Sequence, residues 1–73
     1  MNEMRYAVVI ERDSSGLSAY VPDLPGCVAA ADTVEEVRSL IQGAIRLHLA
    51  GLREDGEPVP EPSSQVEYVE ADA

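Results

Sequence analysis

Apolar and polar positions alternate along Met4-Arg5-Tyr6-Ala7-Val8-Val9-Ile10-Glu11-Arg12, placing Tyr6, Val8 and Ile10 on one side of an extended segment and Ala7 and Val9 on the other. The β-branched and aromatic content of residues 4–12 predicts a strand. Asp13-Ser14-Ser15-Gly16 offers side chains that bond nearby backbone and a residue tolerant of positive φ, predicting a hairpin turn into an antiparallel strand over 17–21. Pro22-Asp23-Leu24-Pro25-Gly26 breaks the alternation, because neither proline can donate to a ladder, and predicts a stiff loop. The small apolar run 27–31 is read as a short third strand, although periodicity alone also permits the start of a helix there.

A change of period follows. Thr33 and Glu36 have the spacing of a capping box, and Asp32 and Glu35 add negative charge at the positive end of a helix dipole. A helix is expected from about Val34 and to run for about 20 residues. At roughly 100° per residue, Val34, Val37, Leu40, Ile41, Ala44, Ile45, Leu47, His48 and Leu52 share one arc, opposite Glu35, Arg38, Ser39, Gln42, Arg46 and Arg53. Gly56 supplies a stop, and Pro58, Pro60 and Pro62 make the following segment an extended connector. Alternation returns over residues 65–70, Gln65-Val66-Glu67-Tyr68-Val69-Glu70, and predicts a last strand before a fraying end at 71–73. The expected fold is α+β, a two-layer β-β-β-α-β domain over 1–73, with one helix packed on an antiparallel sheet. The other sheet face keeps Ala7, Val9 and Tyr20 and is available for association.

Composition narrows the possible functions. A chain of 73 residues buries only about 60 % of its unfolded surface, and one core of that size supplies about 3–5 kcal/mol. Some additional support is needed. Cys27 has no second thiol to pair with, and one Cys with one His does not make a tetrahedral zinc site. Self-association is therefore expected, as a homodimer through the open sheet face or an edge strand. The net charge of −9, with five arginines and no lysine, disfavours direct binding of nucleic acid and favours a basic protein partner. No apolar run approaches membrane-spanning length, the N-terminus lacks a signal-peptide pattern, and a cytoplasmic location is expected. The charge is also uneven: residues 1–53 hold seven acids and five arginines, a balance of −2, whereas residues 54–73 hold seven acids and no base, a balance of −7.

The run Tyr20-Val21-Pro22-Asp23-Leu24-Pro25-Gly26-Cys27, the helix start Asp32-Thr33-Val34-Glu35-Glu36-Val37, and the exit Gly51-Leu52-Arg53-Glu54-Asp55-Gly56-Glu57-Pro58-Val59-Pro60-Glu61-Pro62 together resemble the HicB-like antitoxin family. The resemblance implies a degenerate ribonuclease-H-like domain that neutralises a small basic HicA-type toxin, an mRNA-cleaving ribonuclease, by direct binding. Full-length members usually continue into a DNA-binding segment. This chain is expected to be a short, stand-alone domain without one. The partner-contact residues expected are Tyr20, Pro22, Asp23 and Leu24 in the rigid loop, with Glu67 and Glu70 steering the encounter.

Other chemistry is weaker. A two-metal nuclease needs converging carboxylates, but the first strand is apolar at its centre and Glu35 and Glu36 are accounted for by capping. No catalytic residue, metal or cofactor is expected. A minimal nuclease using Glu11 or Asp32, and an orphan module that binds only itself, are the competing readings. His48 lies in the apolar arc, where packing competes with a role as base or ligand. Cys27 is expected to act as a small buried hydrophobe. Asp23 either projects toward an arginine of a partner or bonds its own turn. Arg38, Gln42 and Arg46 form an ordinary solvated stripe.

Overall fold

The computed structural model describes residues 4–72. Three antiparallel strands, β1 (Val9–Asp13), β2 (Gly16–Tyr20) and β3 (Val28–Ala31), lie in the order β1-β2-β3, followed by helix α1 (Val34–Glu54). The α+β architecture, its element order through the helix and the helix start agree with the pattern of the sequence.

The β1–β2 hairpin is closed by Ser14 and Ser15, with Asp13 opposite Gly16. The Asp13 carboxylate accepts from both the backbone N–H and the hydroxyl of Ser15, each at 2.7 Å, and these bonds pull its pKa below the usual carboxylate range. Gly16 has φ 137°, and a Cβ there would stand 3.0 Å from the Ala31 carbonyl oxygen. A side chain at this position would thus meet both backbone strain and the neighbouring strand.

Helix α1 begins as its sequence requires. Thr33 is the N-cap, its hydroxyl oxygen accepting from Glu36 N–H at 3.1 Å and its O–H donating to the Glu36 carboxylate at 3.0 Å. At the other end Gly56, with φ 68°, donates to the Arg53 carbonyl and Glu57 donates to the Leu52 carbonyl. This Schellman pairing satisfies carbonyls that the helix leaves open. Within the helix, Gly43 and Gly51 have nothing within 4 Å of a would-be Cβ, so the packing of this chain does not explain a residue that costs about 1 kcal/mol relative to alanine.

The core lies between the sheet and the helix: Leu17, Ala19, Val21, Leu24, Cys27, Val37 and Ile41, flanked by Tyr6, Val8, Ala29, Ala31, Ala44, Ile45 and Leu49. Strand pairing puts Ile10, Ala19 and Ala29 on the helix side and lines up Val9, Tyr20 and Val28 across the opposite side. That face is open, as the alternation predicts, and Tyr20 is 40 % exposed on it. The arc of α1 is wider than its contact with the sheet. Val37 and Ile41 are buried, but Val34, Leu40 and Leu47 remain exposed, Leu47 at 77 %.

Two expectations are corrected. The first strand starts at Val9 and not at residue 4, because its partner Tyr20 is the last residue of β2 and Pro22 lies just beyond. The expected last strand over 65–70 is not in the sheet: residues 57–72 run without a ladder. Pro60 and Pro62 have no N–H to give, and the amides of Ser63 and Ser64 are committed to Asp23. The expected fraying of 71–73 falls partly on Ala73, outside the described residues.

Leu24, one of the expected partner contacts, is fully buried. Burying a leucine contributes roughly 2 kcal/mol by transfer alone, and a cavity term adds to the cost of deleting it. Leu24→Ala is expected to lower the unfolding free energy by about 3 kcal/mol, read from the urea midpoint. A loss below about 1 kcal/mol would show that the side chain is not in the core.

Candidate partner-binding surface

The loop between β2 and β3 is two fused turns. Leu24 N–H donates to Val21 O, Cys27 N–H to Leu24 O, each at 3.0 Å, and Val21 N–H to Cys27 O at 3.2 Å. Pro25 and Gly26 occupy the central positions of the second turn, where φ 84° at Gly26 is the conformation a type II turn demands. Val21, Leu24 and Cys27 point into the core, and Pro22, Pro25 and Gly26 remain outside. Sequence thus sets both the shape of the loop and the side from which it is anchored.

Asp23 stands on this rigid platform and bonds a distant segment, not its own turn. One carboxylate oxygen, Oδ2, accepts from the backbone N–H groups of Ser63 and Ser64, both at 2.9 Å. The other, Oδ1, accepts from their hydroxyls at 3.1 and 2.8 Å. The Ser64 and Ser63 amides, followed by the hydroxyls, hold the Asp23 pKa down to about 2. A second tie lies three residues earlier, where Tyr6 Oη–H donates to Pro60 O at 2.6 Å. Burial, and then the negative charges of Glu61 and Asp23, push the Tyr6 phenol up. Residues 60–64 are thereby strapped to the body beside the start of the chain. A cleft of about 510 Å³, lined by Arg5, Tyr6, Ala7 and residues 62–66, separates the two segments.

Beyond Ser64 the segment is exposed. Gln65 Nε2 donates to Glu67 Oε2 at 2.6 Å, and Val66, Tyr68 and Val69 face outward, Tyr68 at 98 %. The structure therefore brings Pro22 and Asp23 to the root of the acidic segment that carries Glu67 and Glu70, with Tyr20 two residues from Pro22. The structure places two of the six expected contact residues in intramolecular roles. Leu24 belongs to the core, and the Asp23 carboxylate is occupied by the two serines. Tyr20, Pro22, Glu67 and Glu70 are exposed. The partners of Asp23 lie forty residues away in sequence; the Ser63-Ser64 pair after a proline run was the only local sign of a carboxylate-binding amide pair.

Other candidate groups are dispersed or buried. Cys27 is a buried free thiol whose pKa burial pushes up, which disfavours the reactive thiolate. His48 is half-buried beside Cys27, Val28, Ala44 and Leu47. Among the described residues no three His, Cys, Asp or Glu side chains converge as a metal-holding set, and no helix is long and apolar enough to cross a membrane.

The Asp23 bonds have a pH consequence. Its folded pKa is depressed below the ordinary aspartate value, so its stabilising contribution is complete above the unfolded value and disappears as pH falls through the folded one. The Asp23 carboxyl is expected to titrate near pH 2 by NMR, with stability declining between about pH 4 and about pH 2. A midpoint close to 4 would show that the serine bonds do not form.

The family model described as "HicB_like antitoxin of bacterial toxin-antitoxin system" matches residues 6–73. The chain is 36 % identical over 66 residues to an uncharacterized 14.9 kDa protein in the rep-hol intergenic region of Haemophilus phage HP1, covering 90 % of this chain and 50 % of that protein. It is 35 % identical over 71 residues to Antitoxin HicB 2 of Photorhabdus laumondii, covering 96 % and 51 %. The chain thus spans about half the length of these curated relatives. Among solved structures, a chain of a HicA3 and HicB3 toxin-antitoxin complex superposes with a TM-score of 0.70 at 28 % identity, over 82 % of this chain and 70 % of that one. With the proline-bounded loop, the capped helix and the strapped exit all in the order of the family's pattern, the chain belongs to the HicB-like antitoxin family.

Proposed function

We propose that this chain is a protein-binding antitoxin module that neutralises a small basic HicA-type toxin by occupying the surface with which the toxin engages mRNA. The observation that carries this reading is the concentration of charge. Residues 54–73 hold seven acids and no base, and the Asp23 and Tyr6 ties fix the root of that segment to one end of the body. An acidic strip raises the local concentration of a basic partner and accelerates encounter. Membership in an antitoxin family and likeness to a chain solved in a HicA3 and HicB3 complex support the same partner class.

The division of labour follows from exposure. Glu67 and Glu70 steer, while Tyr20 and Pro22 supply rigid apolar contact at low entropic cost. The reading requires no catalytic group on this chain, since covering an RNA-binding surface is a matter of affinity alone.

The test is gel filtration and stopped-flow binding with a small basic HicA-type toxin, the product of the adjacent gene being the first to try. A complex at micromolar concentration is expected. Changing Glu67 and Glu70 together to lysine should slow association about tenfold at low salt, with a smaller difference at high salt. Tyr20→Ala should act mainly on dissociation. Absence of any complex at micromolar concentration contradicts the proposal, and RNA cleavage by this chain with Mg²⁺, lost on changing Glu11 or Asp32, would replace it with the nuclease reading.

A further inference from the structure

The segment that follows the strap has the pattern of a strand and no ladder to join. Residues 65–70, Gln65-Val66-Glu67-Tyr68-Val69-Glu70, contain no proline or glycine, whereas Pro58, Pro60 and Pro62 stand before them. Among the described residues, no backbone N–H or C=O of residues 65–72 takes part in a backbone hydrogen bond. The Gln65 amide reaches the Glu67 carboxylate at 2.6 Å, a contact between side chains that extended backbone places on one side. Val66 and Tyr68 fall together on the other side, and both are exposed, Tyr68 at 98 %.

The body holds the root of this segment but does not pair with the rest. Asp23 keeps the amides of Ser63 and Ser64, and Tyr6 keeps the Pro60 carbonyl. From there the cleft of about 510 Å³ separates Gln65 and Val66 from Arg5, Tyr6 and Ala7. Unpaired backbone beside an exposed apolar pair is a template for joining another sheet. Charge decides which sheet. Glu67 and Glu70 lie within the segment, Glu61 and Asp72 flank it, and residues 54–73 hold no base. Two such segments repel each other, so a second copy is a poor occupant. An edge that carries lysine, the residue with which natural edges are commonly guarded, is complementary to it.

From these features we infer that residues 65–70 are a docking strand that adds in trans to the exposed edge of a sheet in a basic partner protein. The inference rests on the antitoxin reading above and specifies how the acidic segment engages its partner. Main-chain bonds join the strand to the edge, Val66 and Tyr68 pack on one face of the partner's sheet, and Glu67 meets a cation on the other. Six residues span about 20 Å, the length of an ordinary strand. Because Asp23 already fixes Ser63 and Ser64, less freedom is lost when the strand is added.

Amide hydrogen exchange of this chain, free and mixed with a small basic HicA-type toxin at micromolar concentration, tests the inference. In the free chain the amides of residues 65–70 should exchange quickly. In the complex every second one should be protected, either Val66, Tyr68 and Glu70 or Gln65, Glu67 and Val69, because only alternate residues of an added strand face the ladder. Val66→Ser and Tyr68→Ser leave the charge unchanged, and each should raise Kd about tenfold, mainly through faster dissociation, with the helical circular dichroism retained. Val69→Ser should raise it less than about threefold. A complex in which these amides stay unprotected, or lose exchange without alternation, contradicts the inference and leaves the antitoxin reading standing. A complex whose affinity survives both Val66→Ser and Tyr68→Ser does the same. Alternate protection already present in the free chain would put the strand on the chain's own sheet and contradict docking in trans. Absence of any complex removes the antitoxin reading and the inference together.

Discussion

The Asp23 carboxylate couples the two parts of this molecule. On one side it is fixed by a loop whose buried Val21, Leu24 and Cys27 leave it little freedom. On the other it accepts four hydrogen bonds from Ser63 and Ser64. Two of those donors are backbone amides that a β ladder would otherwise use, and this choice explains why the segment after the proline connector is strapped across the body and not added to the sheet. Without it the acidic exit would be joined to the body mainly through the Tyr6 hydroxyl and the end of the helix.

A 73-residue chain has one thin core, and most of it is spent holding a three-stranded sheet to one helix. The remaining surface is divided by chemistry: charge at the end where residues 60–72 leave the body, and uncharged backbone and leucine at the β3 edge. The row Val9, Tyr20 and Val28 lies across the sheet face away from the helix.

Much of the fold was legible in local pattern. Thr33 and Glu36 marked the helix start, Gly56 marked its end through a Schellman pairing, and Asp13 to Gly16 marked the hairpin, because each is decided within a few residues. Elements decided by distant partners were not legible. Residues 65–70 alternate as a strand does, but strand formation depends on whether a ladder is available, and Asp23, forty residues away, takes the preceding amides. The same gap affected the candidate surface. Leu24 and Asp23 stand side by side in a loop that looks exposed, yet one is fully buried and the other is bonded to a remote segment. Periodicity placed Leu40 and Leu47 in the apolar arc but could not show that the three-stranded sheet is too narrow to cover them.

The most direct measurement of this account is backbone ¹⁵N relaxation of Ser63 and Ser64. If the Asp23 strap holds, both residues give rigid order parameters of about 0.85, like the centre of α1, and these values fall in the Asp23→Ala variant. Order parameters below about 0.6 at Ser63 and Ser64 in the unaltered chain would contradict it.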